Sequence, residues 1–114
     1  MDQVLNEVLR PFGALRNFRG YHQLVIALEI VMENPSRLEY MTSMYIDIAG
    51  KCNCTYISVE RNIRTLIEHM WLRNPAYMME LAGHSLTKRP TVSQFLDILA
   101  LSVQRVSTDR HIAF

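Results

Sequence analysis

Residues 45–71 read YIDIAGKCNCTYISVERNIRTLIEHMW, and the three residues Asn53-Cys54-Thr55 divide that run into two helical patterns. Asn and Thr carry short polar side chains that hydrogen-bond nearby backbone, so they favour turns and caps over helix interiors. Thr55 is placed to cap a helix over about 56–72, and a shorter helix over about 46–52 precedes the turn. Two helices joined by so short a turn are the minimal form of a helix-turn-helix. In the second helix each residue advances about 100°. Val59, Ile63, Leu66, Ile67 and Met70 gather on one side, while Arg61, Arg64 and Glu68 fall on the other, flanked by Glu60 and Thr65.

The N-terminal part of a recognition helix reaches base edges in the major groove, and Glu60, Arg61 and Arg64 stand in that part. A guanidinium donates two hydrogen bonds to guanine O6 and N7, and a carboxylate accepts one from cytosine N4. The same spacing also describes an ordinary solvated face. Glu60–Arg64 and Arg64–Glu68 are each four apart and form ion pairs on any exposed helix. From spacing alone the solvated face is the stronger reading.

Outward from this run, breakers divide the chain into about six or seven helical stretches in a single all-α domain. Asp2 caps a short helix with Val4, Leu5, Val8 and Leu9 at three-to-four spacing, ended by Pro11 and Gly13. A second helix over about 20–33 carries the broad apolar face Tyr21, Leu24, Val25, Leu28 and Val31, which suits a central, largely buried position. Asn34-Pro35 closes it and opens a third stretch over about 36–44. Asn74-Pro75 repeats that signal for a helix ended by Gly83. Thr91 with Gln94 forms a capping box for a last helix to about 106. The segment 107–114 lacks periodicity and reads as a flexible tail.

The chain has 114 residues, 49% hydrophobic and 20% charged, with four Gly and four Pro. Such a chain fits one globular domain built from a few long elements. Its net charge is only +1, so a case for nucleic acid rests on where the charges sit. Cys52 and Cys54 are too close in sequence for an unstrained disulfide, and free thiols suit a reducing cytoplasm. No signal peptide is visible, and the longest apolar stretch, 24–32, is interrupted by Glu29 and is too short to span a membrane. Cys52-x-Cys54 with His69 lacks the second ligand pair of a zinc site, so neither metal nor cofactor is expected. His22, His69, His84 and His111 are scattered without a nucleophile and a carboxylate beside them, so the chain does not read as an enzyme. Most of the seven methionines fall at core spacing, and Trp71 reads as a core anchor for the end of its helix.

The run 45–71 resembles the effector domain of the stage-zero sporulation response regulator family. The match is carried by Tyr45, Asp47, Ile48, Ala49, Lys51, Asn53 and Thr55, then by the V-E-R-x-I-R core (Val59, Glu60, Arg61, Ile63, Arg64), and by Ile67, Glu68 and Trp71. Gly20-Tyr21 with Leu24, and Pro90-Thr91 with Ser93 and Phe95, extend it over about 4–106. The resemblance implies a six-helix domain that binds double-stranded promoter DNA in the major groove and regulates transcription. Glu60, Arg61 and Arg64 match the family's DNA-contacting positions, and Lys51, Lys88 and Arg89 are backbone-contact candidates. The segment about 73–84 resembles the region that engages RNA polymerase, and the family places two copies on adjacent sites, implying a homodimer on tandem sequences. Ser58 stands where the family carries Arg, Gly50 where it carries Lys, Thr65 where it often has His, Cys52 where it has Phe, and Ile46 where it has Pro. The first three changes remove donors, so weaker binding or a shifted target sequence is expected. Nothing here resembles the family's phosphorylation-receiver domain, so the chain reads as an excised effector or a stand-alone relative.

Overall fold

In a computed structural model the backbone of residues 2–112 and the side chains of residues 3–109 are described. Six α-helices form among those residues: α1 (Asp2–Leu9), α2 (Arg19–Glu33), α3 (Met41–Cys52), α4 (Tyr56–Arg73), α5 (Pro75–Ala82) and α6 (Val92–Ile112). There is no strand among them, and 3-10 turns cover Arg10–Phe12 and Pro35–Glu39.

The helix boundaries follow from local chemistry. The Thr55 hydroxyl accepts from the Ser58 amide at 3.2 Å, and Asn74 Oδ1 accepts from the Tyr77 amide at 3.1 Å. Each satisfies an N–H that the first helical turn leaves without a partner. The capping box forms in both directions: the Thr91 amide donates to Gln94 Oε1 at 2.9 Å and the Gln94 amide to Thr91 Oγ1 at 3.2 Å. Asn53 ends α3 in the left-handed conformation at φ 55°, which Asn tolerates better than other non-Gly residues. The capping role read for Asp2 falls on a side chain outside the described residues.

Two sequence readings are corrected. The stretches at 36–44 and 46–52 are not two helices. A 3-10 turn stops at Tyr40 (φ −131°, ψ 59°), and α3 then runs unbroken from Met41 to Cys52. The buried stripe Met44, Tyr45, Ile48 and Ala49 crosses the supposed break at the spacing of one continuous helix. The last helix does not end near 106 but continues to Ile112. Neither Gly nor Pro interrupts it, and loss of apolar periodicity marks where burial ends rather than where a helix ends. The remainder of the expected tail, 113–114, lies outside the described residues.

The core gathers one face of every long helix: Leu24, Ala27, Leu28 and Val31 of α2, Met44 and Ile48 of α3, Val59, Ile63, Leu66, Ile67 and Met70 of α4, and Phe95, Leu96 and Leu99 of α6. Removing an aliphatic side chain of this size from water contributes about 1.5–3 kcal/mol. Phe12, buried in the 3-10 turn after α1, packs edge-on against Tyr77 of α5 with ring centroids 5.0 Å apart.

The contact that positions α4 is unusually close. A Cβ on Gly20 would fall 2.3 Å from the carbonyl oxygen of Asn62, so α2 crosses α4 backbone against backbone at a point only glycine permits. One turn further along α2, the buried Gln23 side-chain amide donates to Cys54 Sγ at 3.7 Å, tying α2 to the helix-turn-helix corner as well.

Candidate nucleic-acid interface

α4 is clamped on its apolar side, and its outward side is left as a ridge. Ile57, Arg61, Arg64, Thr65, Glu68 and Leu72 are exposed, all within about a third of the helix circumference at 100° per residue. Ile57 at the tip of the ridge is 55% exposed and Leu72 at its far end 73%.

The predicted site residues divide into three groups. Arg61 projects from the middle of the ridge with no ion-pair partner among the described residues. Arg64 is also exposed but leans on Glu60, Nη1 to Oε1 3.3 Å. Glu68, read as a second partner of Arg64, instead pairs with Arg89 across the domain at 2.8 Å. The approach of residues 88–93 to α4 decides that choice, which helical spacing alone does not contain. Ser58 is half-buried and its hydroxyl accepts from Thr55 Oγ1 at 2.8 Å, so it serves the helix start more than the ridge. Lys51, at the last turn of α3, and Lys88, in the segment before α6, are exposed.

Sequence reasoning missed Tyr45 as part of this surface. Tyr45 of α3 lines a groove of about 530 Å³ together with Glu60, Arg64, Lys88 and Arg89. Burial, reinforced by Glu60 and partly offset by Arg64, pushes its phenol up to about 12, so Tyr45 stays a neutral floor beneath the Glu60–Arg64 pair. The V-E-R motif names the pair but not what lies under it.

The opposite flank of α4 was also missed. Residues 13–20 run beside it, fixed at three points. Arg73 Nε lies 3.4 Å from where a Cβ on Gly13 would sit. The Phe18 and His69 rings stand 4.5 Å apart, and Gly20 meets Asn62. Exposed Arg16 and Arg19 lie along this edge. A signal for them existed: residues 8–28 contain Arg10, Arg16 and Arg19 and no acidic residue.

No group of three or more potential metal ligands occurs among the described residues, and no described helix is long and apolar enough to cross a membrane.

A capped corner between α3 and α4, with the second helix buried on one side and carrying arginines on the other, defines a helix-turn-helix domain. The family model for the C-terminal domain of sporulation initiation factor Spo0A matches residues 5–103. The chain belongs to that family, a family of DNA-binding domains in transcription regulation rather than of enzymes.

Proposed function

We propose that this chain binds double-stranded DNA in a sequence-specific way and regulates transcription, with α4 entering the major groove. The observation that carries the reading is Arg61, held outward on the N-terminal half of a helix whose reverse side is fixed in the core. Its guanidinium has no competing carboxylate among the described residues and fits the two acceptors of guanine. Arg64 is a second donor, paired with Glu60 before docking, and Glu60 itself is an acceptor facing cytosine or a positioning partner. Lys51 and Lys88 flank the ridge as phosphate contacts, while Arg89 must divide its charge between Glu68 and the duplex. The side-chain roles of Ser58 and Thr65 are smaller, since neither carries charge.

Selection of bound duplexes from a random pool should return a consensus. On that consensus, Arg61→Ala or Arg64→Ala should cost about 1–3 kcal/mol of specific binding. Failure to enrich any sequence at low salt overturns the reading in favour of a domain that kept the fold for protein contacts alone.

A second surface is favoured by Leu72, 73% exposed where α4 ends and α5 begins. With residues 73–84 it forms the surface by which the chain would engage RNA polymerase, and two copies would occupy tandem sites as a homodimer.

A further inference from the structure

We infer that Arg16 and Arg19 form a phosphate clamp on the α2-side flank of the recognition helix, gripping the DNA strand opposite the one reached by Lys88. The inference rests on the reading of α4 as a major-groove helix and adds residues that neither the V-E-R motif nor the family match singles out.

A helix lying in the major groove has a sugar-phosphate backbone along each side, so cations on both flanks of α4 have phosphates within reach. On the α3-side flank both arginines are paired within the protein, which leaves Lys51 and Lys88 as its unpaired cations among the described residues. Arg64 is paired with Glu60, and Arg89 with Glu68. On the other flank the 13–20 segment is held against α4 by the Arg73, His69 and Asn62 contacts. Arg19 immediately precedes the Gly20–Asn62 crossing, beside the turn that carries Arg61 and Thr65. Arg16 lies in the chain between the Gly13 and Phe18 anchors and lines a groove with Asn6, Arg10 and Tyr21 at the outer edge of this segment. Both are exposed, and neither has an ion-pair partner among the described residues. The nearest acids in sequence are Glu7 and Glu29. Two exposed, unneutralised arginines on a segment anchored to the flank of α4 are matched in charge by a duplex backbone.

The test uses fluorescence anisotropy on a mixed-sequence duplex of about 30 base pairs, titrated from about 50 to 200 mM KCl. Non-specific binding reports phosphate contacts directly, so no target sequence is needed. Arg16→Gln and Arg19→Gln should each flatten the slope of log K against log salt by about 0.9, and the double variant by about 1.8. Each should weaken binding at about 0.1 M salt by up to roughly eightfold. Arg105→Gln on α6, a substitution of equal charge in the groove that α6 forms with α5, should keep the wild-type slope. Wild-type binding with an unchanged slope in the double variant overturns the clamp and leaves the α4 reading intact. An equal drop in Arg105→Gln marks a general charge effect and also overturns the clamp. No wild-type binding at the lowest salt overturns both.

Discussion

The two flanks of α4 carry similar numbers of arginines and differ in what those arginines are doing. On the α3 side, Arg64 and Arg89 are held by Glu60 and Glu68 at 3.3 and 2.8 Å, above the buried phenol of Tyr45. On the α2 side, Arg16 and Arg19 belong to the segment that Gly20 and Phe18 hold against Asn62 and His69, with no ion pair among the described residues, and Arg61 on the ridge is likewise unpaired. A charge already paired must give up its partner to meet DNA, so its net contribution is reduced by what it leaves behind. An unpaired one exchanges only water and counterions. The arginines of the α3 flank are therefore suited to geometry and selectivity, with attraction there left to Lys51 and Lys88, and the arginines of the α2 flank are suited to attraction.

The sharpest way to break this arrangement is at its hinge. Gly20→Ala drives a methyl into the Asn62 carbonyl, which neither backbone can avoid without separating α2 from α4. A loss of about 3 kcal/mol in urea unfolding is expected, at the top of the range for overpacking. A loss below about 0.5 kcal/mol would mean the crossing is soft and the α2-side flank is not fixed.

Next comes the contrast between the two ridge arginines. Arg61→Ala should cost about 2 kcal/mol of binding to a selected sequence and Arg64→Ala about 1, because Arg64 forfeits its pair with Glu60 on docking. Equal losses in titrations at fixed salt would erase the distinction between paired and unpaired donors.

Tyr45 tests the floor of the paired flank. Its pKa is raised in the folded state to about 12 from 10.0, so the native protein holds this proton where the unfolded chain has released it. That contribution is fully present below pH 10 and is lost as pH rises from 10 towards 12, to a total of about 2 kcal/mol. Tyr45→Phe should be less sensitive to alkali by that amount in denaturation followed from pH 9 to 12. Parallel curves for the two proteins would place the phenol in water.

The smallest effect belongs to the ion pair that spans the domain. Glu68→Gln should change stability by less than about 0.5 kcal/mol, as expected for an exposed pair. Freeing Arg89 should nevertheless steepen the salt dependence of DNA binding by up to about 0.9. No change in slope would show that Arg89 does not reach the backbone even when released.

Caps and breakers made most helix boundaries legible in advance. Thr55, Asn74 and the Thr91–Gln94 box form as their side-chain chemistry requires, since each bond joins residues only three apart. The buried face of α4 was equally legible, because the 3.6-residue period links sequence spacing to direction. The continuous α3 and the long α6 were not. There the readings relied on apolar periodicity, which records contact with a core and is silent about helix that continues along or beyond it.

The amino-acid sequence by itself determined that this chain forms an all-α domain with a helix-turn-helix and that Arg61 and Arg64 face away from its core. Those properties depend on interactions within a few residues. Which cations are neutralised, which stand free beside α4, and that Gly20 must be glycine were decided only by the tertiary structure. Pairs such as Glu68–Arg89 and Gly20–Asn62 are distant along the chain, and their meeting depends on how whole helices cross.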